Sequence, residues 1–527
     1  MDTEVIVVGA GPTGLMLACE LRLAGVRPLV LERQAVRRNT PKAGGIGGQI
    51  LELLRHRGLL ERFEAACPGP APAPRFPFGG IHLDLTALAD PPLRALPLPQ
   101  QRLEELLDER AAELGAEVRR GHRVTGVRQD GRSASVEVLG PEGPYRVDAA
   151  YLVGCDGARS PVRDGAGIAF PGTAYPEVNR LAQVTLPDTV TVHGNGDLDV
   201  PGLGTVRGGF TRTERGLLGV GASPGSPVVS LYTVEEEADE YDDDTPMTAA
   251  ELQDSLSRVL GAGIPVREAV RLSRFTFKAR HAEQYRNGRI LLAGDAAHLF
   301  PATGVAINAG MLDAVNLAWK LAAALHGRAP DGLLDSYHDE RRSANARTML
   351  HAQAQVALRR GTDPAAEALR ELVQELLTDE QPLRRTAALV AGADVRHPVP
   401  GPSGHHPMAG AFLPGPAASA DPATAGRGGL LPTARPVLLD LADRADLRRA
   451  AADWRSRVDV RTATATAAAD RTADAVLVRP DAHVAWAAAV GEPADSAVPA
   501  LRAALAHWFG APGAAERPEA AERPDQV

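Results

Sequence analysis

The residues best equipped to do chemistry begin at Gly9. Gly9-Ala10-Gly11-Pro12-Thr13-Gly14 has the spacing G-x-G-x-x-G, which binds a pyrophosphate when a strand precedes it and a helix follows. The first glycine permits a tight turn, the second lets backbone approach the ligand, and the third lets the helix pack closely. The helix N-terminus then turns its unpaired amides toward the phosphates. Glu32 lies eighteen residues after Gly14, where a carboxylate accepts hydrogen bonds from a ribose and repels a 2′-phosphate. The expected nucleotide has a free ribose, as in NAD or FAD. Two more aspartates stand beside glycines far downstream, in Cys155-Asp156-Gly157 and in Gly294-Asp295-Ala296-Ala297-His298. His298 is a candidate proton relay, although the expected role of a histidine closing a strand is capping or structural.

These residues need elements to hold them. Glu4 to Val8 reads as a strand, Leu15 to Ala24 as an apolar helix closed by Gly25, and Pro28 to Glu32 as a second strand. Parallel strands joined by a helix imply an α/β sheet covered on both faces. A helix is expected over Gln49 to Glu64, a Pro/Ala-rich loop over Pro68 to Pro77, and a helix from Gln101 to Leu114. Short strands at Arg123–Val127, Ser133–Val138 and Tyr145–Val147 form a meander, and Tyr151–Cys155 runs into the Asp156 turn. Thr/Val-rich strands from Phe170 to Lys278, with one helix near Ala249 to Leu260, read as an inserted domain. Arg289 to Ala293 returns to a buried-type strand, followed by a long amphipathic helix bearing Val315, Ala318, Leu321, Ala322 and Leu325. The Pro/Gly/Ala-rich stretch His397 to Pro432 has linker composition.

The expected organisation is therefore a nucleotide-binding domain at 1–170, with strands at about 70–100 contributing to a substrate site, and a substrate domain at 171–280. The nucleotide-binding domain resumes with long helices at 281–396; a linker at 397–432 leads to a small C-terminal α/β domain at 433–527.

Composition excludes several classes. The 527 residues are 44% hydrophobic and 23% charged, with no apolar run long enough for a membrane span. The first strand follows Met1 too closely for a signal peptide, so a cytoplasmic location is expected. Cys19, Cys67 and Cys155 form no CxxC pair, which leaves neither a disulfide framework nor a zinc cluster. Lys plus Arg number 57 against 66 Asp plus Glu, a net charge of −9 that repels nucleic acid. The acidic run Glu235 to Asp244 lacks the ordered spacing of a calcium loop and is expected to be a solvated loop.

The three motifs bring a family with them. Cys155-Asp156-Gly157-Ala158-Arg159-Ser160-Pro161-Val162-Arg163 resembles the Asp-Gly motif, and Gly294-Asp295-Ala296-Ala297-His298 the Gly-Asp motif, of class A flavoprotein monooxygenases, the para-hydroxybenzoate hydroxylase-like enzymes. Within that family the chain is similar to the aromatic polyketide hydroxylases of actinomycete antibiotic pathways. The likeness runs over nearly its whole length, through Phe78-Gly79-Gly80-Ile81, Pro99-Gln100, Gly121-His122-Arg123-Val124, Asp313 to Leu321, and Leu477 to Asp481.

The resemblance implies a Rossmann-type FAD-binding domain, an inserted β-sheet substrate domain and a thioredoxin-like C-terminal domain. FAD, NADPH or NADH as reductant, and O2 are its implied cofactors and co-substrate, and a small aromatic polyketide its implied partner, with no nucleic acid or membrane and a monomeric or homodimeric state. The implied cofactor residues are Gly9, Gly11, Pro12, Thr13, Gly14, Glu32, Arg33, Lys42, Gln100, Val124, Asp156, Asp295, Ala306, Ile307 and Asn308. Gln49, His82 and Pro301 are the pocket candidates. The C-terminal domain follows Cys155 with no further cysteine, so thiol redox chemistry is excluded there.

Three departures from the family pattern matter. Lys42 stands where relatives carry arginine and cannot fork bidentately onto a pyrophosphate. Gln49 removes a second cation. The glycine-rich turn before the long helix, Pro301 to Asn308, is one residue short. Hydroxylation of the polyketide is the leading expectation, and Gln49 favours it because no cation there would stabilise a nucleophilic oxygen anion. Baeyer-Villiger oxidation of a related ketone, and a flavin-binding accessory role without oxygenase activity, remain open at this point.

Overall fold

The computed structural model describes residues 3–37, 43–67, 75–222, 227–237, 245–301, 304–361, 363–401, 405–414, 429–462 and 471–512. Val5–Val8, a fully buried β-branched strand, pairs in parallel with Pro28–Glu32 on one side and Tyr151–Gly154 on the other. Ile290–Leu292 continues the sheet beyond Tyr151–Gly154, and Glu117–Arg120 continues it beyond Pro28–Glu32. An antiparallel edge strand, Arg286–Asn287, completes six strands. This order has a chemical consequence. The glycine turn, Glu32, the Asp156 turn and the Gly294-Asp295 turn all follow the carboxyl ends of four adjacent strands, the edge at which open α/β sheets bind ligands. Helix Pro12–Leu23, with proline fixing its first turn, packs on the long helix Ala306–Leu325 and on Gln100–Glu113.

A second six-stranded sheet contains the long paired strands Gly172–Thr185 and Glu268–His281 together with Gly209–Thr213, Gly216–Gly221, Val228–Glu236 and the short His298–Leu299. One face buries Ala182, Val184, Leu218, Val220, Val229 and Leu231 against helix Ala249–Leu260. Thr248 caps that helix by accepting from the Glu251 amide, and Gly261 ends it in the left-handed region. The opposite face, reached through the period-two alternation of each strand, carries Leu181, Tyr232, Gly219 and Phe210 in one cross-strand row.

The C-terminal sheet has the order Asp459–Thr462, Val437–Asp440, Ala475–Val478, Val484–Ala488. The first pair is parallel and the remaining pairs are antiparallel, and helix Ala494–Phe509 follows. A parallel crossover followed by a hairpin and a helix is thioredoxin-like topology. No helix among the described residues is long and apolar enough to cross a membrane.

Three local expectations are corrected. The helix expected over Gln49 to Glu64 is two helices, Gln49–His56 and Leu60–Glu64, because Gly58 at φ 70° breaks the run. Residues 75–77 of the expected loop belong to strand Arg75–Phe78, which pairs with Ile81–Asp84; residues 68–74 lie outside the described set. The acidic run is not wholly a solvated loop. Glu235 is buried, bonding Ser255 and forming ion pairs with Arg180 and Arg258, while Glu237 pairs with Arg180; residues 238–244 are outside the described set. The stretch of linker composition also carries buried residues, among them His397, Phe412, Leu413 and Leu431.

Candidate active site

The glycine turn is shaped by contacts that no side chain would survive. A Cβ at Gly14 would lie 1.9 Å from the Gly9 carbonyl oxygen, and one at Gly9, itself at φ 103°, 2.3 Å from the carbonyl of Cys155. A Cβ at Gly11 would meet nothing within 4 Å, so the middle glycine faces open space. Glu32 is fixed from both sides. Its Oε2 accepts from the Ala10 amide at 2.8 Å and its Oε1 from the Gln34 amide at 2.9 Å. The Glu32 carbonyl accepts the His122 amide at 2.8 Å, which draws the start of strand Arg123–Gln129, with buried Val124, to the same edge. Arg33 is exposed. Gln100 opens helix Gln100–Glu113, exchanges backbone and side-chain bonds with Ala43, and donates to Glu104. Lys42 lies outside the described residues.

Asp156 accepts from the Val162 amide through Oδ2 at 3.0 Å, whereas its buried Oδ1 has no hydrogen-bond partner among the described residues. Burial pushes its carboxyl above the usual range, opposed by bonds from Ser160 and Val162. Every residue from Ile290 to His298 is buried except Asp295, which is exposed beyond the strand end. Thr13 is gripped between the Gly294 turn and the long helix Ala306–Leu325. A Cβ at Gly294 would come within 2.7 Å of Thr13 Oγ1, and one at Gly310 within 2.5 Å.

His298 is no relay to solvent. It is fully buried, with Nε2 2.7 Å from Asp313 Oδ2, and the same Oδ2 accepts the Gly294 amide at 3.0 Å. Asp313 Oδ1 accepts from Arg341 at 2.8 Å and Asn345 at 3.0 Å. Although burial opposes its charge, His298 and Arg341 hold the Asp313 carboxyl well below its usual range. Asp313 thus fixes the turn that presents Asp295, a role its place in a helical run does not announce.

The turn before helix Ala306–Leu325 passes through Gly304 at φ 84°. Asn308 ties it down, donating to the Gly304 carbonyl at 2.8 Å and accepting from the Gly47 amide at 3.0 Å. Ala306 and Ile307 form the first turn of that helix, partly exposed. Pro301 is buried and its carbonyl accepts from Arg359 at 3.3 Å. Gln49 is buried with Nε2 unpartnered among the described residues, and it packs beside Gly392 rather than among the three motifs. His82 lies apart from the nucleotide edge. It stacks on Phe210, ring centroids 6.0 Å apart, in a cavity of about 400 Å³ that Gly80, Ile81, Asp84 and Arg212 also line. Phe210 and Arg212 carried no sequence signal; their register on the open face of the second sheet is what reveals them.

The donor set suits a dinucleotide. Open space at Gly11, two helix N-termini without side-chain caps, a buried acceptor at Asp156 and an exposed carboxylate at Asp295 can take pyrophosphate, hydroxyl and ribitol groups. Among the described residues one group of side chains has metal-ligand proximity, buried His397, Asp481 and His483. Asp481 is engaged there by the Arg479 guanidinium.

Comparison with known proteins agrees. Residues 2–352 match the FAD binding domain family and residues 406–512 the aromatic-ring hydroxylase C-terminal family. The chain is 41% identical over 517 residues to a 12-dehydrotetracycline 5-monooxygenase/anhydrotetracycline 6-monooxygenase of Streptomyces rimosus, covering 97% of this chain and all of that protein. The solved structure of the OxyS anhydrotetracycline hydroxylase from Streptomyces rimosus superposes with a TM-score of 0.83 at 38% identity, over 97% of this chain and 100% of that one. The aromatic hydroxylase CabE, from angucycline biosynthesis, gives 0.82 at 36% identity, over 97% and 99%. With the nucleotide edge, the Asp156 and Asp295 turns and both family matches in place, the chain belongs to the class A flavoprotein monooxygenases, FAD-dependent aromatic hydroxylases that consume reduced nicotinamide and O2.

Proposed function

We propose that this chain hydroxylates a polycyclic aromatic polyketide of the tetracycline or angucycline kind, held between the nucleotide edge and the open face of the second sheet. The observation that carries this reading is the placement of the hairpin Arg75–Asp84. Phe76 lies against Gly304 of the turn before the long helix, and Gly80 lies against Arg212 of the second sheet, so one hairpin touches both walls. The relatives named for tetracycline oxidation supply the ligand class.

In this reading Gly9, Gly11, Pro12, Thr13 and Gly14 receive the pyrophosphate, Glu32 the ribose, and Asp295 the ribitol, with Asp156 beside the pyrophosphate. Gln100, Val124, Ala306, Ile307 and Asn308 border the ring system, and Arg33 and Lys42 flank the adenosine side. Bound FAD supplies reduction by NAD(P)H and activation of O2; the protein binds, orients and excludes water. A cytoplasmic location, where the nicotinamide reductant is made, and a monomer or homodimer complete the proposal.

Hydroxylation and Baeyer-Villiger oxidation differ in where oxygen arrives. Turnover of tetracycline- and angucycline-type aglycones under isotopically labelled O2, followed by mass and NMR analysis, tests the reading. One labelled atom in a new hydroxyl is the expected result. A labelled ester or lactone oxygen, or no aglycone-stimulated NADPH use, would overturn it.

A further inference from the structure

The C-terminal domain meets the rest of the chain across two stacked imidazoles. His397 follows helix Glu380–Ala391, and His483 ends the turn between strands Ala475–Val478 and Val484–Ala488. Their ring centroids lie 4.0 Å apart at an interplanar angle of 33°, and both residues are buried. Phe412 packs edge-on against His483, with centroids 5.3 Å apart. The His397 amide donates to the Gly410 carbonyl at 2.8 Å and the Gly410 amide to the Val484 carbonyl at 2.9 Å, so backbone bonds carry the stack into the C-terminal sheet.

Each ring keeps one nitrogen unanswered. His483 Nδ1 lies 3.1 Å from the Asp481 carbonyl oxygen. A carbonyl only accepts, so the neutral ring carries its proton on Nδ1 and leaves Nε2 a bare lone pair. Nε2 of both rings is buried with no hydrogen-bond partner among the described residues. His397 Nε2 stands 3.8 Å from Glu340 Oε2, but the Glu340 carboxylate already takes Arg479 at 2.7 Å, Lys320 at 2.9 Å and Asn316 at 2.7 Å. Asp481 is held by Arg479 and Asn316. Arg479 and Lys320 therefore balance Glu340 and Asp481 one for one, with His507 of helix Ala494–Phe509 near enough to feel Arg479 and Glu340. A proton on either imidazole adds a third cation to this neutral, buried site, and protons on both set like charges across the stack. Burial, then His483 and Arg479, hold the His397 imidazole well below its ordinary range against the pull of Glu340 and Asp481.

We propose that the His397–His483 stack is an acid-opened latch between the C-terminal domain and the FAD-binding domain, closed while both rings are neutral and released by proton uptake. Separated in water, an imidazole accepts a proton near pH 6.5, and the closed stack opposes it. Docking is therefore complete above about pH 6.5 and weakens as pH falls below it. One refused proton lowers the docking constant about tenfold between about pH 7.5 and pH 5.5, and two lower it about a hundredfold.

Hydrogen exchange read by mass spectrometry on the full-length, FAD-loaded protein tests this, with rates corrected for the intrinsic pH dependence of exchange. On going from about pH 7.5 to pH 5.5, the amides of residues 405–413 and 479–486 should lose at least about tenfold in protection, while those of Val5–Val8 keep theirs. Replacing both rings by ones that stack but bind no proton, His397→Phe with His483→Phe, should remove this pH dependence whatever it does to protection at a single pH. Should the double variant fold poorly, His397→Gln carries the comparison and should leave the junction less acid-sensitive than in the wild type. Equal loss of protection at the junction and at Val5–Val8 would mark global unfolding, driven by histidines elsewhere such as His281 and His351, and would overturn the proposal. So would a junction that stays protected at about pH 5.5, or one whose acid opening survives removal of the two imidazoles.

Discussion

At the scale of single residues, the three glycines of the turn have separable duties, and substitution separates them. Gly14→Ala drives a methyl against the Gly9 carbonyl 1.9 Å away, so the turn cannot close and the protein should lose both FAD and stability. Gly11→Ala collides with nothing in the chain. It should fold and melt like the wild type yet purify with little FAD, because only the pyrophosphate competes for that space. Retention of stoichiometric flavin absorbance by Gly11→Val would show that the cofactor lies elsewhere. Asp313 illustrates the opposite case, a fully buried residue that shapes the turn bearing Asp295. Its carboxylate answers Arg341, His298 and the Gly294 amide at once. Asp313→Asn strands a buried guanidinium and should cost about 3–5 kcal/mol, the range for breaking a buried ion pair, read as a shift in the denaturation midpoint.

At the scale of elements, helix Ala306–Leu325 organises the site. Gly310 accepts Thr13, Asp313 holds the Gly294 turn, and Asn316 and Lys320 reach Glu340 on helix Ser336–Arg359. The motifs that bind a nucleotide were legible because their spacing is set by a ligand of fixed size, and the strands that end in them were legible from continuous β-branched runs. The polar face of this helix was not. Asp313, Asn316 and Lys320 recur at three and four residues like a solvated stripe, yet all three are buried, because partners distant in sequence complete their bonding. The open face of the second sheet is not legible in the sequence for the same reason: Phe210, Arg212 and Tyr232 come together only through strand register. Packing also sets a pH dependence. Burial holds His281 and His351 at about 4, whereas unfolded histidine titrates near 6.5. Between those values the unfolded chain binds protons that the folded chain refuses, so stability should decline as pH falls from about 6.5 toward 4. His351→Gln should flatten part of that decline in melting midpoints measured from about pH 7.5 to pH 5; an unchanged slope would exclude His351 as a contributor.

At the scale of the whole molecule, the C-terminal domain is fastened through buried charge. Arg479 forks onto Glu340 with both contacts at 2.7 Å and also grips Asp481; Lys320 joins Glu340 at 2.9 Å, and Asn316 bridges Glu340 and Asp481. A second anchor lies in helix Pro12–Leu23, where Glu20 pairs with Arg57 while Arg57 donates to the carbonyls of Leu431 and Pro480. Trp319 packs against Trp508 and Phe509 at the same junction. In this cluster two cations balance two carboxylates in a site without water access, so loss of one cation leaves the carboxylates facing a single ammonium. Arg479→Met should therefore destabilise by about 3–5 kcal/mol, and adding Glu340→Gln should recover part of that loss, a non-additivity expected of direct contact. The cofactor cradle proposed above lies elsewhere on the same helix: from Gly310 to Lys320 is ten residues, about 15 Å along the axis. The folded fraction of Arg479→Met should thus keep its FAD and its rate of flavin reduction by NADPH, and removal of everything after Pro432 should act likewise on a larger scale, through melting and association. Unchanged melting together with lost flavin reduction would contradict this division and place the C-terminal domain within the catalytic unit.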